Sequence, residues 1–233
     1  MAYYAQSRPR TQVAVNSFLQ SVYNWMAIGL GLTGLVAYLV ANSETMIQLI
    51  FGNQLVFFGL IIAELALVFS ISARVHKMSA ATATSLFVLY AALNGATISS
   101  IFLVYSRSSI ASTFFICSAI FVACSIYGYV TKRDLTSLGS FLFMGLIGII
   151  IASVVNLFLQ SSAVATIVSY LGVFIFIGLT AYDSQKLKEM ARTQPEGLEA
   201  GVVRKGAIMG ALSLYLDFIN MFLFLLYIFG GRE

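Results

Sequence analysis

The sequence predicts an all-α membrane protein, a bundle of seven transmembrane helices, on three observations. Of 233 residues, 60% are hydrophobic and 9% charged, with a mean hydropathy of +0.93; soluble domains carry about 25% charged residues. The apolar residues gather in runs long enough to cross a hydrocarbon core, which takes about 20 helical residues. The two prolines, Pro9 and Pro195, lie outside those runs, so no ring breaks a helix from within.

Residues 1–19 read as a short polar, cytosolic arm with Arg8 and Arg10, in which Val13–Phe18 is apolar enough to lie on the membrane surface. Residues 20–233 read as one membrane domain. Span one is placed at 21–40 and, having no small-residue cleavage site, reads as an uncleaved span. It contains Gly29, Gly31 and Gly34 in GxGxxG spacing. A dinucleotide fingerprint needs a preceding strand and a downstream acid, so inside a charge-free run these glycines read as helix packing. Glu44 falls in the first loop. Span two, 55–73, holds Glu64 and ends at Arg74, with His76 and Lys77 in the loop beyond. Span three, 80–104, has Asn94 near its centre, and Arg107 marks the next loop. Span four, 110–130, carries Cys117 and Cys124, about 10 Å apart along a helix and too distant for a disulfide. Lys132-Arg133-Asp134 forms a tight turn.

From Leu135 to Tyr182 there is no charge; Asn156, Gln160, Ser161 and Ser162 divide this run into span five, 138–159, and span six, 163–182, which ends at Asp183. Residues 184–206 form the one long polar loop. Gln185–Ala191 can continue span six as helix until Pro195-Glu196-Gly197 stops it. Span seven is placed at 207–229.

With the N-terminus inside, eleven of the thirteen Lys and Arg fall on the inner side and two, Arg107 and Arg232, outside. The positive-inside rule therefore predicts a cytosolic N-terminus and an outer C-terminus. Basic residues scattered over short loops are topology signals, not a nucleic-acid footprint.

Span seven organises the rest. Asp217 sits near its middle, and a charge at bilayer depth is costly and by default functional. Ser213, Asp217 and Asn220 share one helix face, which must meet protein or water. Gly206 and Gly210 make a notch for a neighbouring helix. At 1.5 Å per residue, Glu64 lies about 15 Å from Arg74, and Asp217 about 16 Å beyond Gly206. Glu64 and Asp217 are thus expected near the midplane, and Arg74 and Asp183 at the cytosolic mouth.

Four chemistries compete for these carboxylates. An aspartyl intramembrane protease pairs Tyr-Asp with Gly-x-Gly-Asp; Tyr182-Asp183 fits, but Leu214-Tyr215-Leu216-Asp217 has no glycine and no proline follows. A retinal protein needs a lysine in the last span, which is absent. A G-protein-coupled receptor has the opposite orientation. The fourth is a cation or proton pathway lined by Asp217, Asp183, Glu64, Asn220 and Asn94. Ca²⁺ takes six to eight oxygen ligands, and two close carboxylates in a low dielectric share a proton and titrate as a pair. An arginine beside them makes a pH-sensitive latch.

Tyr182-Asp183-Ser184-Gln185-Lys186 at the end of span six, with Leu216-Asp217-Phe218-Ile219-Asn220-Met221-Phe222-Leu223-Phe224-Leu225-Leu226 in span seven, resembles the Bax inhibitor family, also called the transmembrane Bax-inhibitor-motif family. The likeness extends over nearly the whole chain and includes Arg74 after span two. The resemblance implies a pH-sensitive Ca²⁺ leak, in which Asp183 and Asp217 share a proton and touch the permeant ion, Arg74 bonds the pair and holds the pore shut, and the last span is central. It implies no enzyme and no organic cofactor. The alternatives are a membrane scaffold or stress-response factor that binds proteases or cell-death regulators, with structural aspartates, and a proton-coupled transporter. The short tails suggest a bacterial cytoplasmic membrane.

Overall fold

The computed structural model describes residues 12–195 and 197–231; Arg8, Pro9, Arg10, Glu196 and Arg232 lie outside them. The elements are helices: α1 (Gln12–Ala41), α2 (Glu44–Phe51), α3 (Gln54–Arg74) followed by a 3₁₀ turn (Val75–Lys77), α4 (Ala80–Ile98), α5 (Ile101–Val104), α6 (Arg107–Val130), α7 (Thr136–Leu159), α8 (Ser162–Thr193) and α9 (Ala200–Phe229). Among the described residues, seven helical stretches are long and apolar enough to cross a membrane, as the composition predicts. Burial is greatest in α9, where 56% of its most apolar eighteen residues are covered, against 39% in α8.

Three boundaries differ from the sequence reading, each for a local reason. Helix α1 begins at Gln12 and runs unbroken into span one, so residue 19 is no boundary. Val15, Phe18, Leu19 and Val22 are buried, and their i, i+3, i+4, i+7 spacing is the stripe of a packed helix. The Val13–Phe18 stretch is thus part of α1 and not a separate surface segment. The first loop contains α2, whose N-cap Ser43 accepts from the Met46 amide at 3.4 Å; Ile50 anchors it in a small core with Val40 and Ala96. Third, the polar loop at 184–206 is helix on both sides of Pro195: the continuation of α8 through Gln185–Ala191 is the one the sequence allows, and the early start of α9 is the difference. Helix α8 continues to Thr193 and α9 starts at Ala200; the strong helix formers Gln185–Arg192 carry the first, and Pro195 stops it.

The chain forms two compact units. The first comprises the residues through Thr97 together with Lys186–Leu212, the second Ile98–Gln185 with the chain from Ser213 onward. The long helices α8 and α9 each contribute to both.

In the first unit, Thr33 of α1 donates to the Ala91 carbonyl of α4 at 2.8 Å. The GxGxxG glycines do not serve packing as a set: Gly29 is buried, whereas Gly31 and Gly34 have open space where a side chain would stand. Thr33 is the residue of that segment that ties the helices. The notch on α9 is used as expected. A Cβ on Gly210 would stand 2.5 Å from Leu187 of α8 and 3.2 Å from Val22 of α1. Lys205 donates to the His76 carbonyl at 3.2 Å, joining the start of α9 to the turn after α3.

In the second unit, a Cβ on Gly128 would fall on the Ala181 carbonyl oxygen, so glycine lets α6 lie directly on the backbone of α8. Phe114 and Phe121 of α6 each meet Phe218 of α9 edge-on with centroids 5.5 Å apart, a favoured arrangement for aromatic quadrupoles. The Cys117 thiol donates to the Phe218 carbonyl at 3.7 Å. Both cysteines are free.

Candidate functional site

The site is built on α8 and α9. Gln185, two residues past Asp183, fixes α8: its Oε1 accepts from the Leu135 amide at 2.9 Å, and its Nε2 donates to the Arg133 carbonyl at 2.8 Å. This clip holds the α6–α7 turn against α8, so Asp183 enters the second unit just below that turn. Asp183 is half-buried. Ala181 and Tyr182 before it are seated on Gly128 and Gly139.

Asp217 is 5% exposed, and its Oδ2 has no hydrogen-bond partner among the described residues. Asp183 is near enough to act on it electrostatically. The sequence estimate set the two aspartates far apart in depth, one at the mouth and one at the midplane. The Leu187–Gly210 contact resets that register. Counting four residues back along α8 and seven forward along antiparallel α9 leaves Asp217 three residues deeper, about 4.5 Å at the helical rise. The charge pattern puts the membrane edge at Asp183 and Gly206, whereas both helices run on past it.

The remaining candidates divide between the two units. Asn220 donates to its own helix, to the Leu216 carbonyl at 2.8 Å, and Ser213 is half-buried one turn before Asp217. Glu64 engages both carboxylate oxygens within the first unit: Asn94 donates to Oε2 at 3.2 Å and the Thr97 hydroxyl donates to Oε1. Glu64 and Asn94, singled out separately in the sequence, are thus one cluster bridging α3 and α4. Tyr90 lies close enough to feel the Glu64 charge. Arg74 is exposed at the C-terminal end of α3.

Sequence reading missed Thr97, Gln185 and Ser125. Thr97 and Tyr90 stand at i+3 and i−4 from Asn94, so the polar face was present in the spacing. Gln185 stands in the Tyr182–Lys186 motif, but nothing there marks it as a tie to the α6–α7 turn. Ser125 sits one turn beyond Phe121 and has a buried Oγ without a partner among the described residues. No group of three or more His, Cys, Asp or Glu side chains arranged to hold a metal occurs among the described residues. Asp183 and Asp217 are two carboxylates, fewer than such a group needs.

Residues 15–233 match the family model described as inhibitor of apoptosis-promoting Bax1. The chain is 52% identical over 222 residues to the inner membrane protein YbhL of Escherichia coli (strain K12), covering 95% of this chain and 94% of that protein. It is 46% identical over 218 residues to a protein of Borreliella burgdorferi, covering 94% and 93% of the two chains. It is 42% identical over 233 residues to a protein of Deinococcus radiodurans, covering 100% and 98%. A family match from the first span to the C-terminus, carried on seven apolar helices with Asp183 and Asp217 brought together, identifies the chain as a multi-pass membrane protein that belongs to the Bax inhibitor family.

Proposed function

We propose that the chain is a pH-sensitive passive leak for cations, Ca²⁺ foremost, gated by Asp183, Asp217 and Arg74. The observation that carries this reading is the Asp217 Oδ2, buried in the most covered helix and without a hydrogen-bond partner among the described residues. An unsatisfied buried polar group costs about 1–3 kcal/mol, and intramembrane carboxylates are retained where a proton or ion must visit. Asp183, one turn shallower, supplies the second carboxylate. A pair so placed in a low dielectric holds one proton between its members, and H⁺ and Ca²⁺ then compete for the same oxygens. Ser213 extends the polar stripe toward the mouth. Arg74, at the end of α3, is the cation that would close the latch on the ionised pair. Protons and Ca²⁺ are cargo here, and the reading requires neither an organic cofactor nor catalysis.

The charge bias supports a cytosolic N-terminus, and likeness to an inner membrane protein supports the cytoplasmic membrane as the location. The test is Ca²⁺ entry into proteoliposomes across pH, with protein-free vesicles as the baseline. Flux equal to that baseline at every pH would remove the leak.

A second reading has its own observation. The family description names inhibition of another protein, which suits a membrane scaffold binding proteases or cell-death regulators. A scaffold keeps partner binding when both aspartates become Asn and carries no specific flux.

A further inference from the structure

The first unit carries a groove of about 740 Å³ between the start of α1 and the segment leading into α9, within the roughly 300–1,000 Å³ range of small-ligand sites. Phe18, Trp25 and Val203 give it an apolar floor, and Ser17, Ser21 and Arg204 give it polar edges. The Arg204 guanidinium lies over the Trp25 ring, 5.3 Å from its centroid, and Arg204 is exposed. Stacking occupies the flat face of a guanidinium and leaves its in-plane N–H donors to meet an oxyanion.

We infer that this groove binds the phosphodiester headgroup of an anionic membrane lipid, with the acyl chains along Trp25 and Val203. Three observations select a lipid. The groove lies at the membrane boundary: the α1 span is 28 residues long, more than the roughly 20 a bilayer core needs, so its first turns reach the headgroup layer, where Trp is favoured. Its polar edge carries a cation, Arg204. Arg204 and Lys205 are adjacent at the start of α9, and basic pockets of this kind attract anionic headgroups. The groove also joins an apolar floor to a cationic rim, which matches an amphipathic ligand and not a free anion. The site is separate from the aspartate pair, and its occupancy does not depend on the leak.

Trp25 is the sole tryptophan of the chain, so its fluorescence reports the groove alone. The full chain is reconstituted in phosphatidylcholine vesicles containing an equal mole fraction of brominated phosphatidylglycerol or brominated phosphatidylcholine, whose bromines quench an indole on contact. The expected result is preferential quenching by phosphatidylglycerol, corresponding to about a fivefold enrichment, the factor for one basic residue at an anionic surface. Arg204→Gln should abolish that preference with an unchanged melting temperature, whereas Lys77→Gln should keep it. Added inorganic phosphate should leave it intact. Equal quenching by the two lipids, a preference that survives Arg204→Gln, or one lost equally in Lys77→Gln would overturn the site. Reversal by inorganic phosphate would show an ion site instead and overturn the lipid assignment.

Discussion

Replacing Asp217 by Asn keeps the shape of the side chain and removes its titration. The expected outcome is an inserted, folded protein whose melting temperature is unchanged or raised, since the change removes the cost of burying a charge. Its Ca²⁺ flux should lose most of its pH dependence. Asp183→Asn should do the same, and the double variant should add little, because two groups sharing one proton act as a unit. Wild-type flux at all pH values in the double variant would end the latch model. Arg74→Ala should raise basal flux and flatten its pH response; unchanged flux in a folded variant would return Arg74 to a topology signal. At this scale the sequence was informative where a charge stood alone in an apolar run, as Glu64, Asp183 and Asp217 do. It was silent where the partner was an ordinary polar residue, as with Thr97 on Glu64 or Gln185 on the α6–α7 turn, because Thr and Gln at helix positions are common and unremarked by composition.

Helix ends were the least legible elements. The sequence lets α8 continue through Gln185–Ala191, since Lys, Glu and Gln are good helix formers, but it starts the last span at Ala207, whereas α9 begins at Ala200 on the far side of Pro195. The start of α7 shows a terminus set by local chemistry instead. Asp134 accepts from the Thr136 amide at 2.9 Å, and hydrogen bonds from the Thr136 hydroxyl and backbone hold its carboxyl below the usual value. A depressed carboxylate contributes stability above its unfolded pKa and loses it as pH falls through the folded one. Asp134→Ala should therefore lower the melting temperature at neutral pH, and the gap to wild type should close in acid. A gap that persists at low pH would show that charge and hydrogen bonding at Asp134 do not set this helix start.

For the molecule as a whole, hydropathy alone was enough to count seven spans, because apolar runs in a bilayer have one efficient solution. Register between helices was not legible. It depends on contacts such as Leu187 on Gly210, and a glycine announces a close approach without naming the neighbour. Orientation rests on the charge bias, which predicts that a reporter active only outside the cytoplasm works when fused after Glu233 and fails when placed in the α8–α9 connection. The reverse pattern would invert the sidedness of the proposed gate.

The Gln185 clip has a kinetic corollary. The Leu135 amide hydrogen is held by a side chain two residues from Asp183, so it can exchange with solvent deuterium only when that side chain lets go. Its exchange rate is thus a local clock for the lower part of α8. If protonation of the aspartate pair shifts α8, exchange at Leu135 should depart from the tenfold-per-pH-unit slope of base-catalysed amide chemistry across the gating range, and Asp183→Asn should restore that slope. A slope that follows simple base catalysis throughout in the wild-type chain would mean that α8 stays in place while the pair titrates.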